Sequence, residues 1–242
     1  MLKIKNVSAT IDTTPVLSNI TLEVNPGEIH VIMGPKASGK STLAHVIQGN
    51  PYIKQNEGSI TLGKKNINKL STDKRSQLGI FSSFQYPPEI LGLTNLEAVK
   101  IAVENAGQIS FNSELETCYR SLTNQFELGS SFADLIFNSE EMSPSSWRKN
   151  EVLQMLMLNP KIAILDEVDL ESDNRSLEII SGSILSFMKQ GDRSCILITN
   201  NKTFLDLIEP THVHILVDGM IKQQGNKELY KRIIEDGYTQ FS

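Results

Sequence analysis

The sequence predicts an α/β core interrupted by a helical insertion. A short apolar run, "IHVIM", leads into a glycine-rich loop and then "KSTLAHVIQG", which reads as strand, tight loop and helix in succession. From Pro87 to about residue 155 apolar residues fall at helical spacing, as in "LTNLEAVKIAVENAG". After Pro160 a strand–helix rhythm returns. The pattern gives the class and leaves the strand order open.

Each element has its own local reason. "LKIKNVS" and "SNITLEV" alternate apolar and polar residues, as two antiparallel strands at the start would. "PGE" turns the chain into "IHVIM", a buried strand, and the helix after it closes at Gly49 with Pro51 beyond. "GSITLG" is a further strand and "LGIFSSF" a further apolar run. Polar loops such as "QISFNSE" and "ELGSSF" break the insertion. The stretch from Ser146 to Leu158 is one more helix, marked by Trp147, Val152, Met155 and Leu156. Then come the strand "KIAILDE", a helix at about 174–189, the strand "SCILIT" and a helix at about 202–208. The hairpin "VHILVDGMIKQQG" turns at Asp218-Gly219, and a last helix covers about 226–235.

Composition narrows the function classes. The 242 residues are 39% hydrophobic and 21% charged, as in an ordinary soluble protein. A net charge of −5 gives no electrostatic support for binding nucleic acid or anionic membranes. No apolar run reaches the ~18–20 residues of a membrane span. The first residues read as a strand, with neither an apolar leader nor an Arg-rich transit pattern. The expected location is therefore the compartment of synthesis: the cytoplasm, or the stroma or matrix of an organelle that encodes the protein. Cys118 and Cys195 match no ligand spacing and are expected as two buried free thiols.

The chemistry begins at Gly34-Pro35-Lys36-Ala37-Ser38-Gly39-Lys40-Ser41, followed by Thr42. This fits G-x-x-x-x-G-K-[ST] between a predicted strand and a predicted helix. Successive backbone N–H groups in such a loop form an anion nest, and the helix N-terminus adds partial positive charge. Lys40 would reach the β- and γ-phosphates of a nucleotide, and the Ser41 hydroxyl would bind Mg²⁺. In "IAILDE", Asp166 ends a buried strand beside the loop. It would hold Mg²⁺ through water, while Glu167 would polarise an attacking water.

These residues, with Gln85 in "FSSFQYPPEI", resemble the nucleotide-binding domain of ABC-type ATPases. "GIFSSFQYPPEILGLTNLEAV", "KNEVLQMLMLNPKIAILDE" and "HVHILVDGMIKQQGNKELYKRIIEDGY" are similar to the SufC-type ATPase of the SUF iron–sulfur cluster assembly system. The resemblance runs from Met1 to about Tyr238 and is weakest at about 108–141. It implies an ABC-type P-loop fold with an antiparallel β edge and a helical subdomain. The catalytic α/β core would be residues 1–86 and 156–242, and the helical subdomain 87–155, within one domain spanning 1–242. It implies ATP and Mg²⁺ as cofactors, with Gly34 to Thr42 as the Walker A loop and Asp166 as the Walker B aspartate. Glu167 would be the catalytic glutamate, and Gln85 the residue that senses Mg²⁺ and the γ-phosphate. Ser41, Gln85 and Asp166 would surround the metal. The partners implied are SufB- and SufD-like scaffold subunits, touched by the surface around Tyr86 to Ile90 and the insertion. The ATPase itself would form a homodimer or pair with an intact paralogue.

The sequence departs from that family in several places. Lys36 and Ala37 replace the usual Asn-Gly pair. No aromatic stands near Ile11 or Val16 to stack on adenine. The signature Ser-Gly-Gly-Glu aligns with Ser143-Pro144-Ser145-Ser146, where Pro144 has no N–H and two side chains replace glycines. The following S-G-L-D reads Leu170-Glu171-Ser172-Asp173, and Asn200 stands at the switch histidine. Asn can bond a phosphate but cannot carry an imidazole's charge or relay its proton. The expectation is a subunit that grips ATP and hydrolyses it slowly or not at all. The alternatives are a membrane transporter's nucleotide-binding subunit and a purely structural subunit. His212 and His214 alternate on one strand but lack an evident third ligand, so sheet packing is expected of them, and His30 reads as structural.

Overall fold

The structure is a computed structural model and describes residues 1–83, 90–107, 112–139 and 142–241. In chain order the elements are β1 (Leu2–Ile11), β2 (Thr14–Val24), β3 (Ile29–Met33), α1 (Lys40–Gln48), β4 (Ile53–Leu62), β5 (Lys65–Asn66), α2 (Thr72–Gln77) and β6 (Ile80–Ser82). There follow α3 (Asn95–Asn105), α4 (Ser113–Gln125), α5 (Pro144–Leu158), β7 (Ile162–Asp166), α6 (Asn174–Met188), β8 (Ser194–Ile198), α7 (Lys202–Ile208), β9 (His212–Val217), β10 (Met220–Gly225) and α8 (Lys227–Asp236).

They form two sheets. The smaller is antiparallel, in the order β2-β1-β4-β5. The larger has six strands in the order β10-β9-β3-β8-β7-β6, parallel except for the β9–β10 hairpin. β3, β7 and β8 are buried at every position, which explains why they read as unbroken apolar runs rather than alternation. One face of the large sheet, with Val31, Leu165, Leu197 and Ile215, packs with helical residues such as Val152, Leu177 and Phe204. The other, with Ile32, Ile164, Ile196 and Leu216, packs with Leu2, Ile4, Leu22 and Ile60 of the small sheet and with Leu43 and Ile47 of α1.

The insertion is held by caps. Thr94 and Glu97 close a reciprocal capping box on α3, and Asn112 caps α4. α5 starts two residues earlier than the sequence suggests, because Ser143 caps it and Pro144 takes the first helical position, where a missing N–H costs nothing. Trp147 donates from Nε1 to Ser139 O at 3.2 Å, so it packs back within this region. Cys195 is buried, but Cys118 on α4 is exposed, which corrects the expectation of two buried thiols.

Neither β5 nor α2 is foreshadowed by a hydrophobic pattern. α2 brings a buried arginine under α1: Arg75 Nη1 donates to Val46 O and Ile47 O, both at 2.8 Å. Nε and Nη2 reach Leu70 O at 3.0 Å and Asn68 O at 3.1 Å. The guanidinium thus adds donors to carbonyls in the last turn of α1, where Val46 O also accepts from Gly49 N at 3.2 Å.

Two imidazoles are buried on the inter-sheet face, His30 on β3 and His214 on β9. Burial pushes the pKa of His30 down, and takes His214 down to about 3, where the charges of His30 and His212 add to the effect. An unfolded histidine protonates near 6.5. Unfolding therefore takes up protons between about pH 6.5 and 3, and stability falls as pH is lowered through that window. The urea midpoint of the parent chain should drop relative to that of His214→Leu between pH 7 and pH 5. Parallel midpoints would contradict this reading.

Candidate functional site

At the end of β3 the chain turns sharply at Gly34. A Cβ there would lie 2.0 Å from Leu216 O of the neighbouring β9, so only glycine fits. The loop then enters α1 at Lys40 through Gly39, and α1 has no side-chain cap. Its first N–H groups are accordingly presented to an anion rather than to the protein. Ala37, where the family favours glycine, sits at φ 63°, a left-handed conformation. The β9–β10 turn braces the loop: Gly219 N donates to Ser38 O at 3.0 Å, and Ser18 N to Gly219 O at 2.9 Å. Gly219 has φ 71°, and a Cβ there would lie 2.1 Å from Val16 O.

Lys40 is buried. Its Nζ donates to Gly34 O at 2.9 Å and Pro35 O at 2.7 Å, inside the curve of the loop. Burial lowers its pKa, while the charges of Glu167 and Asp166 oppose the shift. Asp166 ends β7, and its N–H is held by Ser83 Oγ at 2.8 Å. Burial pushes its carboxyl pKa up, with the Ser41 hydroxyl pulling the other way and Glu167 adding to the rise. Asp166 Oδ1 is buried and has no hydrogen-bond partner among the described residues. An orphaned acceptor beside a hydroxyl and a lysine fits a divalent cation, the group that would relieve its desolvation. Glu167 is half-buried at φ 53° and its N–H donates to Ile198 O at 2.9 Å. Asp169 lies further along the loop, its pKa raised by burial, and accepts from Thr199 Oγ1 at 2.8 Å.

Asn200 reaches back to the start of the phosphate loop. Its Nδ2 donates to Gly34 O at 3.0 Å, and its Oδ1 accepts from Gly34 N at 3.3 Å. Tyr238, just beyond α8, donates its hydroxyl to the same Oδ1 at 2.7 Å. Asn200 therefore acts as a bidentate clip on the loop backbone. Asn200→Ala should weaken nucleotide binding by about 2–10-fold, the worth of one net hydrogen bond, measured by nucleotide titration. An unchanged affinity would mean the clip does not shape the loop.

The segment Ser143–Ser146 forms an ordinary capped helix start. Ser143 Oγ accepts from Ser146 N at 3.1 Å and lies 2.8 Å from Ser146 Oγ, so the hydroxyl is engaged within its own turn. Ser145 Oγ donates to Ser176 Oγ at 2.9 Å, and Asp173 caps α6 by accepting from Ser176 N at 2.8 Å. Gln85 lies outside the described residues, as do Tyr86 to Glu89 of the expected partner surface.

A cleft of about 580 Å³ is lined by Lys36 to Thr42, Glu167, Asn200, Val16 and Leu170. Among the described residues, Val16 and Leu170 are its only apolar walls besides Ala37, and Ile11 does not line it. Strand, glycine loop, helix and an acidic pair at the end of β7, which lies one strand away from β3 across β8, define a P-loop nucleotide-binding protein.

The chain belongs to the ABC transporter family, whose model matches residues 17–169, more than half of its length. It is 38% identical over 247 residues to a probable ATP-dependent transporter, ycf16, of Antithamnion sp., an alignment covering 98% of this chain and 96% of that protein. Vegetative protein 296 of Bacillus subtilis is 34% identical over 239 residues, covering 98% and 91%. Among solved structures, a dimeric post-hydrolysis state of the ATP-binding cassette MJ0796 bound to ADP and Pi superposes with a TM-score of 0.81. It covers 93% of this chain and 98% of that one, at 24% identity, a likeness of fold. Among the described residues no helix is long and apolar enough to cross a membrane.

Proposed function

We propose that the chain is a Mg-ATP-binding, SufC-like subunit of an iron–sulfur cluster assembly complex, coupling ATP binding and slow hydrolysis to shape change in SufB- or SufD-like scaffolds. One observation carries the reading: Lys40, Ser41, Asp166 and Glu167 gather around an open phosphate loop, while Asn200 is tied to that loop's backbone. Gly34 to Thr42 and the start of α1 would hold the phosphates. Lys40 would move from Gly34 O and Pro35 O to the β- and γ-phosphates, and Asn200 would keep Gly34 O paired when it does. Ser41 and Asp166, with Gln85, would hold Mg²⁺, which neutralises phosphate charge during transfer. Glu167 would orient the attacking water. Val16 and Leu170 would give the base only weak apolar contact. Residues 87–155 would be the helical subdomain that, with the segment near Gln85, meets the scaffold.

Grip is retained better than turnover because the two rest on different residues. The loop, Lys40 and Asp166 are within this chain. The transition state in a composite dimer site would also need the signature from the other subunit and the switch histidine. In this chain Ser143 is engaged in capping and Asn200 in clipping the loop. Each lost transition-state contact costs roughly 10²–10³ in rate, and the two losses need not add. A dimer with an intact paralogue leaves each site one contact short.

The SufC-like assignment rests on the quoted sequence segments. The transporter reading has its own support, since several relatives are named as transporters. Co-purification separates the two: SufB- or SufD-like scaffolds support the first, and a membrane permease the second. Within the assembled complex, Glu167→Gln should abolish whatever stimulated hydrolysis is measured and leave ATP bound. Hydrolysis that survives the substitution would remove Glu167 from its role.

A further inference from the structure

At the end of the large sheet away from the phosphate loop, β3 and β9 begin side by side. His30 pairs in register with His212, and Ile32 with His214, so three imidazoles share one face. Further along, the same face carries Ile32 and Leu216 in the inter-sheet core. His30 stacks on both neighbours, with ring centroids 4.4 Å from His212 and 5.0 Å from His214. His30 Nε2 lies 2.9 Å from Glu28 Oε2, and its Nδ1 lies 2.9 Å from His214 Nε2. Glu28 is fixed by Asn25, whose N–H donates to Oε2 at 2.7 Å and whose Nδ2 donates to Oε1 at 3.2 Å. One ligand atom each from Glu28, His30 and His212 falls within 4.8 Å of the others. His214 is buried, and its Nδ1 has no partner among the described residues.

We propose that Glu28, His30 and His212 form a second metal site, for a borderline transition-metal dication of the zinc type, with His214 orienting His30. Aliphatic side chains would complete this apolar face at lower cost than imidazoles, one of which leaves a buried nitrogen unpaired. Two imidazoles and one carboxylate are a donor set that zinc accepts, with a fourth position for water. Mg²⁺ and Ca²⁺ prefer all-oxygen shells and are disfavoured. His30 presents Nε2 to the ion while Nδ1 bonds His214, the outer-shell contact that fixes a ligand's tautomer. Metal–ligand bonds of about 2.0–2.1 Å in a tetrahedral site require Nε2 and Oε2 to separate to about 3.4 Å. That is a small opening from the metal-free 2.9 Å. His212 must turn out of the stack; it is only half-buried, and Glu28 keeps 24% of its side-chain surface exposed, so the ion can enter. Bound there, it would tie the turn before β3 to the start of β9.

The test is titration of the nucleotide-free full chain with Zn²⁺ and, separately, with Co²⁺. One equivalent should bind, Zn²⁺ but not Mg²⁺ should raise the thermal midpoint, and Co²⁺ should show visible bands of nitrogen–oxygen coordination without a thiolate band. His212→Asn and Glu28→Gln, both at partly exposed positions, should each weaken binding at least tenfold. Lys40→Ala and Cys118→Ser should bind as the parent does. Absence of saturable binding, binding unchanged in His212→Asn, or binding lost in Cys118→Ser would overturn the proposal.

Discussion

Lys40→Ala should weaken Mg-ATP binding by about 100-fold or more and leave the fold standing. A hydrogen bond from a charged donor contributes about 1.5–3 kcal/mol, and on the proposed reading Lys40 would give two phosphates such bonds. The substitution is mild for the empty protein. Gly34 O keeps its bond from Asn200 Nδ2 at 3.0 Å, and Pro35 O, on a half-buried residue, can turn to water. Removing the ammonium also ends its burial cost, at the expense of the positive charge near Asp166 and Glu167. Nucleotide titration reads the loss, and circular dichroism with a thermal scan reads the fold. Parent-like affinity in this variant would reduce the glycine loop to a structural turn.

Arg75→Ala should be the most damaging substitution to stability outside the apolar cores. The side chain is 3% exposed and donates to four carbonyls, at Val46, Ile47, Asn68 and Leu70. No carboxylate is needed to balance it, because the C-terminal end of α1 carries partial negative charge. Truncation strands buried carbonyls, each at about 1–3 kcal/mol unless water replaces the donor. A net loss of about 2–4 kcal/mol is expected, or roughly 4–16 °C in the thermal midpoint for a chain of this size. Arg75→Lys should recover little, since one ammonium cannot span four carbonyls. A midpoint within a degree of the parent's would show that water satisfies the helix end without the arginine.

Arg75 also marks the limit of what the sequence discloses. "KLSTDKRSQ" has no hydrophobic period, so neither α2 nor the buried role of its arginine could be read from it; both depend on contacts with residues 46 and 47. The long strands and most helices were legible because burial leaves a period of 2 or 3.6, or an unbroken apolar run. The phosphate loop was legible because its working atoms are contiguous backbone. Asn200 meets Gly34, 166 residues away, only after β8 has been laid beside β3, and Tyr238 meets Asn200 across 38 residues. Likewise His212 and His214 looked like packing residues until parallel pairing brought them to His30, 184 positions from His214. Asp173, aligned with the last residue of the family's S-G-L-D, is in the fold the cap of α6.

The departures at Ser143–Ser146 and Asn200 have a common physical sense. Ser143 Oγ completes a helix cap, and the Asn200 amide completes a loop clip. On the proposed reading, such a cleft would favour ground-state phosphate contacts over those reserved for the transition state.

The decisive measurement is Mg-ATP binding and turnover on the same purified chain, alone and with its co-purifying partner. Saturable, Lys40-dependent binding is expected, with turnover by the chain alone no faster than that of Glu167→Gln and only slow, Glu167-dependent turnover in the complex. Turnover near an ordinary enzyme rate of about 10 s⁻¹, or failure to bind ATP at all, would contradict it.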